Sequence, residues 1–373
     1  MSHPALLPAG HALIVGASGV IGSAVVAEFS RRAGMRVSAL SRRRPDLPAD
    51  VTFAHIPADL DAAEESARLI GSLRPVTHLV YAASVEAAGL VGGWIDHDLM
   101  HRNLDMLRNV VEPVAAAGAL RHVTLMQGTK AYGAHLHPIA IPARESQPRD
   151  PHANFYWLQE DYIRTRAASG GWHWTIFRPQ IVLGGAVGVA MNPVPVIGVL
   201  AALAHERGEP FAYPGQSFLI HEAVDSRLVA RACAWAMESG SARNEVFNIT
   251  NGDIWAPAFS WPALADAMGL RSASDHMCKV AKFLATQQPV WERIAIRHDL
   301  AIRDLAAILG QSHHYLALLL GSASDAPAAP ALLSTIKLRK AGFSECFDTD
   351  HSLRYWLNDL IHRKILPKMG QMR

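Results

Sequence analysis

Three glycines spaced by three, Gly16-Ala17-Ser18-Gly19-Val20-Ile21-Gly22, follow the apolar run His11–Val15 and open a segment with helical spacing. Glycine lets the backbone turn tightly and approach a diphosphate, and a helix N-terminus presents free N–H groups to such an anion. Strand, glycine turn and helix in this order form the arrangement that binds a dinucleotide. The alternative is a glycine turn that serves only helix–sheet packing. A second chemical signal ends the next apolar run, where Met35–Leu40 leads into Ser41-Arg42-Arg43-Arg44. No acid stands there to hold a ribose 2′-hydroxyl, as NAD sites usually require. Guanidinium groups suit a 2′-phosphate by charge and by fork geometry, which favours NADPH over NADH. The alternative is a solvated basic turn, and three consecutive arginines cannot all face one phosphate. Asp59-Leu60, after the third apolar run, stands where an acid near the adenine is expected, with an exposed helix cap as its plainer reading.

The elements that must position these residues alternate. His11–Val15, Met35–Leu40, Val51–Pro57, Thr77–Ala82 and His122–Met126 read as strands. Ser23–Arg32 reads as a helix, Asp59-Leu60-Asp61 opens another, and His97–Ala117 carries Leu99, Leu104, Leu107, Val110 and Val114 near helical spacing. Alternation from residue 11 to about 185 predicts an α/β fold with a Rossmann-type doubly wound parallel sheet. Beyond Gly184-Gly185, prolines 193, 195, 210 and 214 break the chain into short elements. Ala223–Met237 is expected to be helical with Asp225 or Ser226 as N-cap, and Val246–Thr250 to be a strand. From Pro257 onward helices predominate, and Ser322–Pro330 is a low-complexity loop. The expected organisation is a dinucleotide-binding domain over 1–185, with 221–255 returning to it. Residues 186–220 and 256–373 then form a smaller, mainly helical substrate-binding domain.

Composition narrows the classes. Of 373 residues, half are hydrophobic and 18% are charged, which is ordinary globular usage. Lys plus Arg number 35 and Asp plus Glu 33, and a net charge of +2 offers no footprint for nucleic acid or an anionic membrane. Cys233, Cys278 and Cys346 are scattered and form no CxxC, so neither a disulfide framework nor a zinc site is expected and a reducing cytoplasm fits. Met1–Gly10 lacks the basic and apolar regions of a secretory signal. The apolar runs Val194–Ala204 and Tyr315–Gly321 fall short of the roughly 20 residues of a membrane span. The 19 histidines include His313-His314 and His135-x-His137 but no HExxH, and read as core or surface residues, with no metal site expected. A homodimer is the default expectation for assembly.

In the short-chain dehydrogenase/reductase superfamily the catalytic centre is Tyr-x-x-x-Lys with an upstream Ser. Here Tyr132 is followed four residues on by Leu136, Tyr156 by Glu160 and Tyr162 by Arg166, and the upstream strand ends Gln127-Gly128-Thr129-Lys130-Ala131-Tyr132-Gly133. That ending, with Asn154-Phe155-Tyr156-Trp157-Leu158-Gln159-Glu160-Asp161, resembles the progesterone 5β-reductase/iridoid synthase family. This atypical branch of the superfamily reduces the C=C bond of enones and enals with NADPH. It carries Thr-Gly-x-Lys-His-Tyr and Asn-Phe-Tyr-Tyr-x-x-Glu-Asp. Further matches are Asn103 with Met106-Leu107-Arg108-Asn109, Arg178-Pro179 with Gly184, Met191-Asn192, and Glu245-Val246-Phe247-Asn248 with Asn251-Gly252-Asp253. Similarity continues from Val290-Trp291-Glu292 to Ile365-Leu366-Pro367, so it covers nearly the whole chain.

The resemblance implies Tyr156 and Lys130 as catalytic residues. A phenol O–H at the carbonyl oxygen would stabilise an enolate, and a nearby ammonium would lower the phenol's pKa or support the charge. It also implies a cofactor contact set of Gly16, Ser18, Gly19, Val20, Ile21, Gly22, Ser41, Arg42, Arg43, Asp59, Leu60, Ala82, Gln127, Gly128, Tyr156, Pro179 and Ile181, holding NADPH. The implied partner is a hydrophobic small-molecule enone or enal. The chain departs from the family at Ala131, Trp157 and Gln180, and the stretch between Tyr132 and Asn154 looks shorter than in plant members. Leu316–Leu320 reads first as a core helix; as an alternative it lines an apolar substrate pocket, for which Phe211, Trp255 and Trp261 are also candidates. The alternatives are an extended superfamily member acting as ketone reductase or nucleotide-sugar epimerase/dehydratase, and a non-catalytic NADP-sensing regulator.

Overall fold

The computed structural model describes residues 10–216, 218–273, 276–323 and 329–369. The N-terminal stretch read for a signal, apart from Gly10, and residues 324–328 of the low-complexity loop lie outside these. The chain begins with strand β1 (Gly10–Val15), helix α1 (Val20–Ser30), β2 (Met35–Leu40), β3 (Ala54–Ile56), α2 (Ala63–Gly71) and β4 (His78–Tyr81). There follow α3 (His97–Ala116), β5 (His122–Met126), α4 (Phe155–Gly170), β6 (His173–Pro179), the short β7 (Val182–Leu183) and α5 (Pro193–Glu206). Next come β8 (Phe211–Ala212), β9 (Val224–Asp225), α6 (Ser226–Glu238) and β10 (Glu245–Ile249).

Seven strands form one parallel sheet in the order β3-β2-β1-β4-β5-β6-β10. The order reverses between β1 and β4, the switch point at which such sheets leave a crevice beyond the strand C-termini. Both faces of the sheet are buried, which explains the continuous apolar runs. Leu107, Val110 and Val114 of α3 and Ile163 of α4 pack with Leu13, Leu79 and Leu125 on one face. Phe29 of α1 and Leu228 and Val229 of α6 pack with Ile14, Val80 and Phe177 on the other.

The rest of the chain is helical: α7 (Pro257–Ala267), α8 (Val280–Leu284), α9 (Gln288–Arg297), α10 (Leu305–Leu309), α11 (Ser312–Leu319), α12 (Ile336–Lys340) and α13 (Thr349–His362), with β11 (Ser272–Ala273) pairing β8. The apolar side chains of α7–α11 and α13 join the buried α5, with Trp261 and Trp291 fully enclosed, in a third core. Leu338 and Phe343 lie in the core beneath α6, so this stretch of the C-terminal segment packs on the sheet.

Several expected boundaries move. The helix expected over Ser23–Arg32 runs Val20–Ser30, directly after Gly19. The helix expected from Asp59 begins at Ala63, because Asp59–Ala62 closes a turn first (Ala62 N–H to the Asp59 carbonyl, 3.1 Å). The helix expected from Ala223 begins at Ser226, because Val224–Asp225 pairs with Val182–Leu183. Asp225 is its N-cap, accepting from the Arg227 N–H. The strand expected over Val51–Pro57 shrinks to Ala54–Ile56, since β3 is an edge strand that meets β2 over three residues.

Candidate active site

The glycine turn lies at the switch point. Gly16 has φ +76°, which L-residues rarely adopt, and a Cβ there would stand 2.7 Å from the Ala82 carbonyl group beside it. A Cβ on Gly22 would strike the Gly16 carbonyl oxygen. Gly19 is the N-cap of α1 without a side-chain cap, so the first-turn N–H groups at Val20, Ile21 and Gly22 have no partner within the helix. The turn therefore presents bare backbone donors at a positive helix end, which fits a dinucleotide diphosphate.

At the end of β2 the three arginines separate. Ser41 is buried and its hydroxyl donates to the Arg43 carbonyl at 2.7 Å, tightening the turn. Arg43 donates through Nη2 to the carbonyls of Val187 (3.4 Å) and Gly188 (3.2 Å). Arg44 stacks on Phe53 at 4.7 Å. Ser18, Arg43 and Arg44 border a cavity of about 240 Å³ between α1, α6 and α13, whereas Arg42 does not. Arg42 instead adds positive potential at Asp61, which also pairs with Arg102. Asp59 is exposed and accepts from the Asp61 N–H at 3.2 Å, while Leu60 is buried and its carbonyl accepts from Asn109.

Lys130 and Tyr156 come together from different elements. Lys130 sits in a 3₁₀ turn (Thr129–Tyr132) after β5, and Tyr156 in the first turn of α4. Asn154 ties them: its Nδ2 donates to the Lys130 carbonyl at 2.8 Å and its Oδ1 accepts from the Tyr156 N–H at 3.0 Å. The ammonium lies over the rings of Trp94, Phe155 and Tyr156, at 4.8, 5.4 and 5.6 Å from their centroids. It is paired with a residue that spacing did not reveal, Glu86, at 3.2 Å. The other oxygen of Glu86 accepts from the Trp94 indole at 2.8 Å. Glu86 follows β4, where the rule that ligands bind beyond strand C-termini directs attention.

Burial pushes the Lys130 ammonium below its ordinary pKa, and Glu86 opposes that shift. Burial pushes the Tyr156 phenol up, and the Glu86 carboxylate adds to the rise. Of the two roles expected for the ammonium, lowering the phenol's pKa or supporting developing charge, the surroundings favour the second: Lys130 is paired with Glu86 and the buried phenol keeps its proton. Gly128 faces the phenol, since a Cβ there would lie 3.3 Å from the Tyr156 hydroxyl and 3.4 Å from the Pro179 carbonyl.

Gln127 has a different setting from the one its place in the contact set suggested. Its Nε2 donates to the Tyr156 carbonyl (3.2 Å) and to Glu160 (3.0 Å), and its Oε1 accepts from Arg178 (2.9 Å). Its amide is thus spent on protein groups. Glu160, with a side chain 3% exposed, also pairs with Arg149, Arg164 and Arg178. Ile181 is buried in the helical core, and its carbonyl accepts from the Val224 N–H.

Of the apolar candidates, Phe211, Trp255, Trp261, Leu316 and Leu320 all belong to the helical core. Among the described residues no group of three or more His, Cys, Asp or Glu could hold a metal ion, and no helix is long and apolar enough to cross a membrane.

A glycine cradle at the switch point of a doubly wound parallel sheet defines a dinucleotide-binding protein of the Rossmann type. Residues 12–250 match the NAD dependent epimerase/dehydratase family, and the chain belongs to it. It is 29% identical over 321 residues to an (S)-8-oxocitronellyl enol synthase of Antirrhinum majus, covering 79% of this chain and 80% of that one. It is 29% identical over 324 residues to a 3-oxo-Delta(4,5)-steroid 5-beta-reductase of Arabidopsis thaliana, covering 80% of each. Among solved structures, a UDP-glucose 4-epimerase of Thermotoga maritima superposes with a TM-score of 0.64 at 16% identity, covering 93% of this chain and 97% of that one. The resemblance read from the Lys130 and Tyr156 motifs is borne out, and the protein is an NAD(P)-dependent oxidoreductase.

Proposed function

We propose that this protein uses NADPH to saturate the C=C bond of a hydrophobic enone or enal by 1,4-addition, hydride going to the β-carbon. One observation carries the reading: Lys130 and Tyr156 meet at the C-terminal edge of the sheet, against Gly128 and between aromatic side chains. The plant relatives support it, since the Arabidopsis protein is named for a conjugated 3-oxo steroid. The residues fit the cofactor: Gly16–Gly22 would hold the diphosphate, and Ser18, Arg43 and Arg44 the 2′-phosphate. Bound there, the dihydronicotinamide supplies the hydride. In the same reading, residues 1–185 with 221–255 hold the cofactor, and the helical part covers the substrate.

Hydride addition moves negative charge onto the carbonyl oxygen. Tyr156 donates a hydrogen bond to that oxygen, and the bond strengthens as the charge develops, which lowers the barrier selectively. The Lys130 ammonium supports the charge from beside the phenol. The enolate then takes a proton from water at its α-carbon, so one hydride and one proton give the saturated carbonyl compound.

The test is product analysis with NADPH and 2-cyclohexen-1-one. Cyclohexanone with matching cofactor oxidation is the expected outcome. Allylic alcohol alone would reject 1,4-addition, and epimerisation of a sugar nucleotide with NAD would favour the reading suggested by the epimerase-like fold.

A further inference from the structure

We propose that Glu86 is a positioning residue of this reaction, the group that holds Lys130 charged and fixed beside Tyr156. The inference rests on the enone-reductase reading and adds to it a residue that none of the motifs contains.

The geometry is that of a prepared clamp. The Glu86 side chain is 5% exposed and that of Lys130 11%, so the pair meets largely away from water. Both carboxylate oxygens are committed, one to the ammonium and one to the Trp94 indole. The backbone on each side is fixed as well. Asn103 accepts from the Val85 N–H (3.0 Å) and donates to the Val85 carbonyl (3.1 Å). The Gly89 N–H donates to Gln311 at 2.8 Å.

Between Glu86 and Trp94 the chain turns at Leu90 with φ 68° and ψ −66°, and the Val91 N–H donates to the Gly89 carbonyl at 2.9 Å. This is the strained, positive-φ form of γ-turn, held at a fully buried leucine. It leads directly into the 3₁₀ turn (Val91–Ile95) that aims Trp94 back at Glu86.

A buried ammonium without a counter-ion sheds its proton. The groups around Lys130 cannot serve in place of Glu86. Phe155 and Tyr156 on α4 offer only ring faces. His135, edge-on to Trp94, is held neutral by burial, and the Asp150 carboxylate beyond it is engaged by His152 and His137. Arg178 and Tyr315, which act on the Tyr156 phenol, bring no negative charge to the ammonium at neutral pH. Without Glu86, Lys130 would keep its charge only at lower pH.

Two readouts on the full chain test this. In protein carrying ¹³C-lysine, the Lys130 signal among the seven lysines is assigned by its absence in Lys130→Arg, and its titration is followed. In the wild type Lys130 stays charged through neutral pH. In Glu86→Gln it loses its proton about one to three pH units lower, and the basic limb of kcat/KM moves down with it while acid-side turnover is retained. Glu86→Asp returns the limb towards the wild-type position. A wild-type Lys130 that titrates below about pH 8, or a shift in Glu86→Gln under about half a unit, overturns the proposal. A uniform loss of activity with an unmoved limb does so too, because it marks a structural role. If the wild type reduces no enone at all, the enone reading fails while the titration still decides the role of Glu86.

Discussion

Removing one oxygen atom from Tyr156 separates chemistry from fold. Among the described residues the phenol hydroxyl donates to no acceptor, so Tyr156→Phe breaks no internal hydrogen bond. The ring keeps its edge-on contact with Phe155 at 4.4 Å between centroids. A buried hydrogen bond contributes about 1 kcal/mol on average; with none to lose, the melting temperature should move by no more than about 2 °C. Catalysis should respond differently. Deleting one donor to a developing oxyanion typically costs a factor of about 10²–10³, or roughly 3–4 kcal/mol of barrier. The expected variant therefore melts like the wild type, keeps its KM for NADPH, and turns over a cyclic enone about 10²–10³ times more slowly. Steady-state cofactor oxidation at saturating enone, with calorimetric melting, reads both sides. A kcat within about threefold of the wild type would remove Tyr156 from the oxyanion role. A melting point lowered by many degrees would show that the hydroxyl serves the fold.

Three further outcomes follow from the site and the sheet. Arg43→Ala should raise KM for NADPH about 10- to 100-fold, the scale of one charged hydrogen bond, while KM for NADH changes little; equal effects on both cofactors would take the 2′-phosphate away from Arg43. Gly22→Ala places a methyl group against the Gly16 carbonyl and 2.8 Å from the Ala17 Cα, and should abolish cofactor binding measured by calorimetry; wild-type affinity would reject the cradle. Burial lowers His78 to about 4 and His122 to about 3, and the two lie opposite each other on β4 and β5. Both are neutral when folded, whereas the unfolded chain protonates them below about 6.5. Stability contributed by their neutral forms is present above that pH and is lost as pH falls from about 6.5 towards 4, by up to about 1.4 kcal/mol per pH unit for each proton. His122→Leu should flatten this slope by one proton in melts between those limits, and an unchanged slope would refute the assignment.

What could be read in advance follows the range of the interaction responsible. β2 and β5 fall on the runs Met35–Leu40 and His122–Met126, because strands buried on both faces are continuous apolar runs closed by turns. Helix α3 ends within one residue of expectation. The glycine cradle was readable because its chemistry is local, each glycine answering to a backbone neighbour near the switch point. The start of α6 was not, since Val224–Asp225 is claimed by Val182–Leu183, a pairing with no local trace. Nor was Glu86, which reaches Lys130 across 44 positions of sequence. The arginine run named a charge but no contact; only the folded chain shows Arg43 reaching the Val187 and Gly188 carbonyls and Arg44 beside it on the same cavity.

The displaced lysine changes what must hold the site together. In Tyr-x-x-x-Lys a single helical turn sets the distance between phenol and ammonium, because residues i and i+4 share a face. Here Lys130 follows a strand and Tyr156 begins a helix, so their separation depends on how β5 and α4 are joined. Asn154 makes that joint by giving its amide N–H to the Lys130 carbonyl while its oxygen caps the helix at Tyr156. An aspartate there would cap equally well but would offer no donor to Lys130. Gln127 holds the other end, donating to the Tyr156 carbonyl while Arg178 and Glu160 orient its amide. If Tyr156 and Lys130 act as proposed, Asn154, Gln127 and Glu160 need not touch a substrate to matter to the reaction. They replace the helical turn, and a change at any of them should shift the Tyr156–Lys130 geometry before it alters the chemistry of either group.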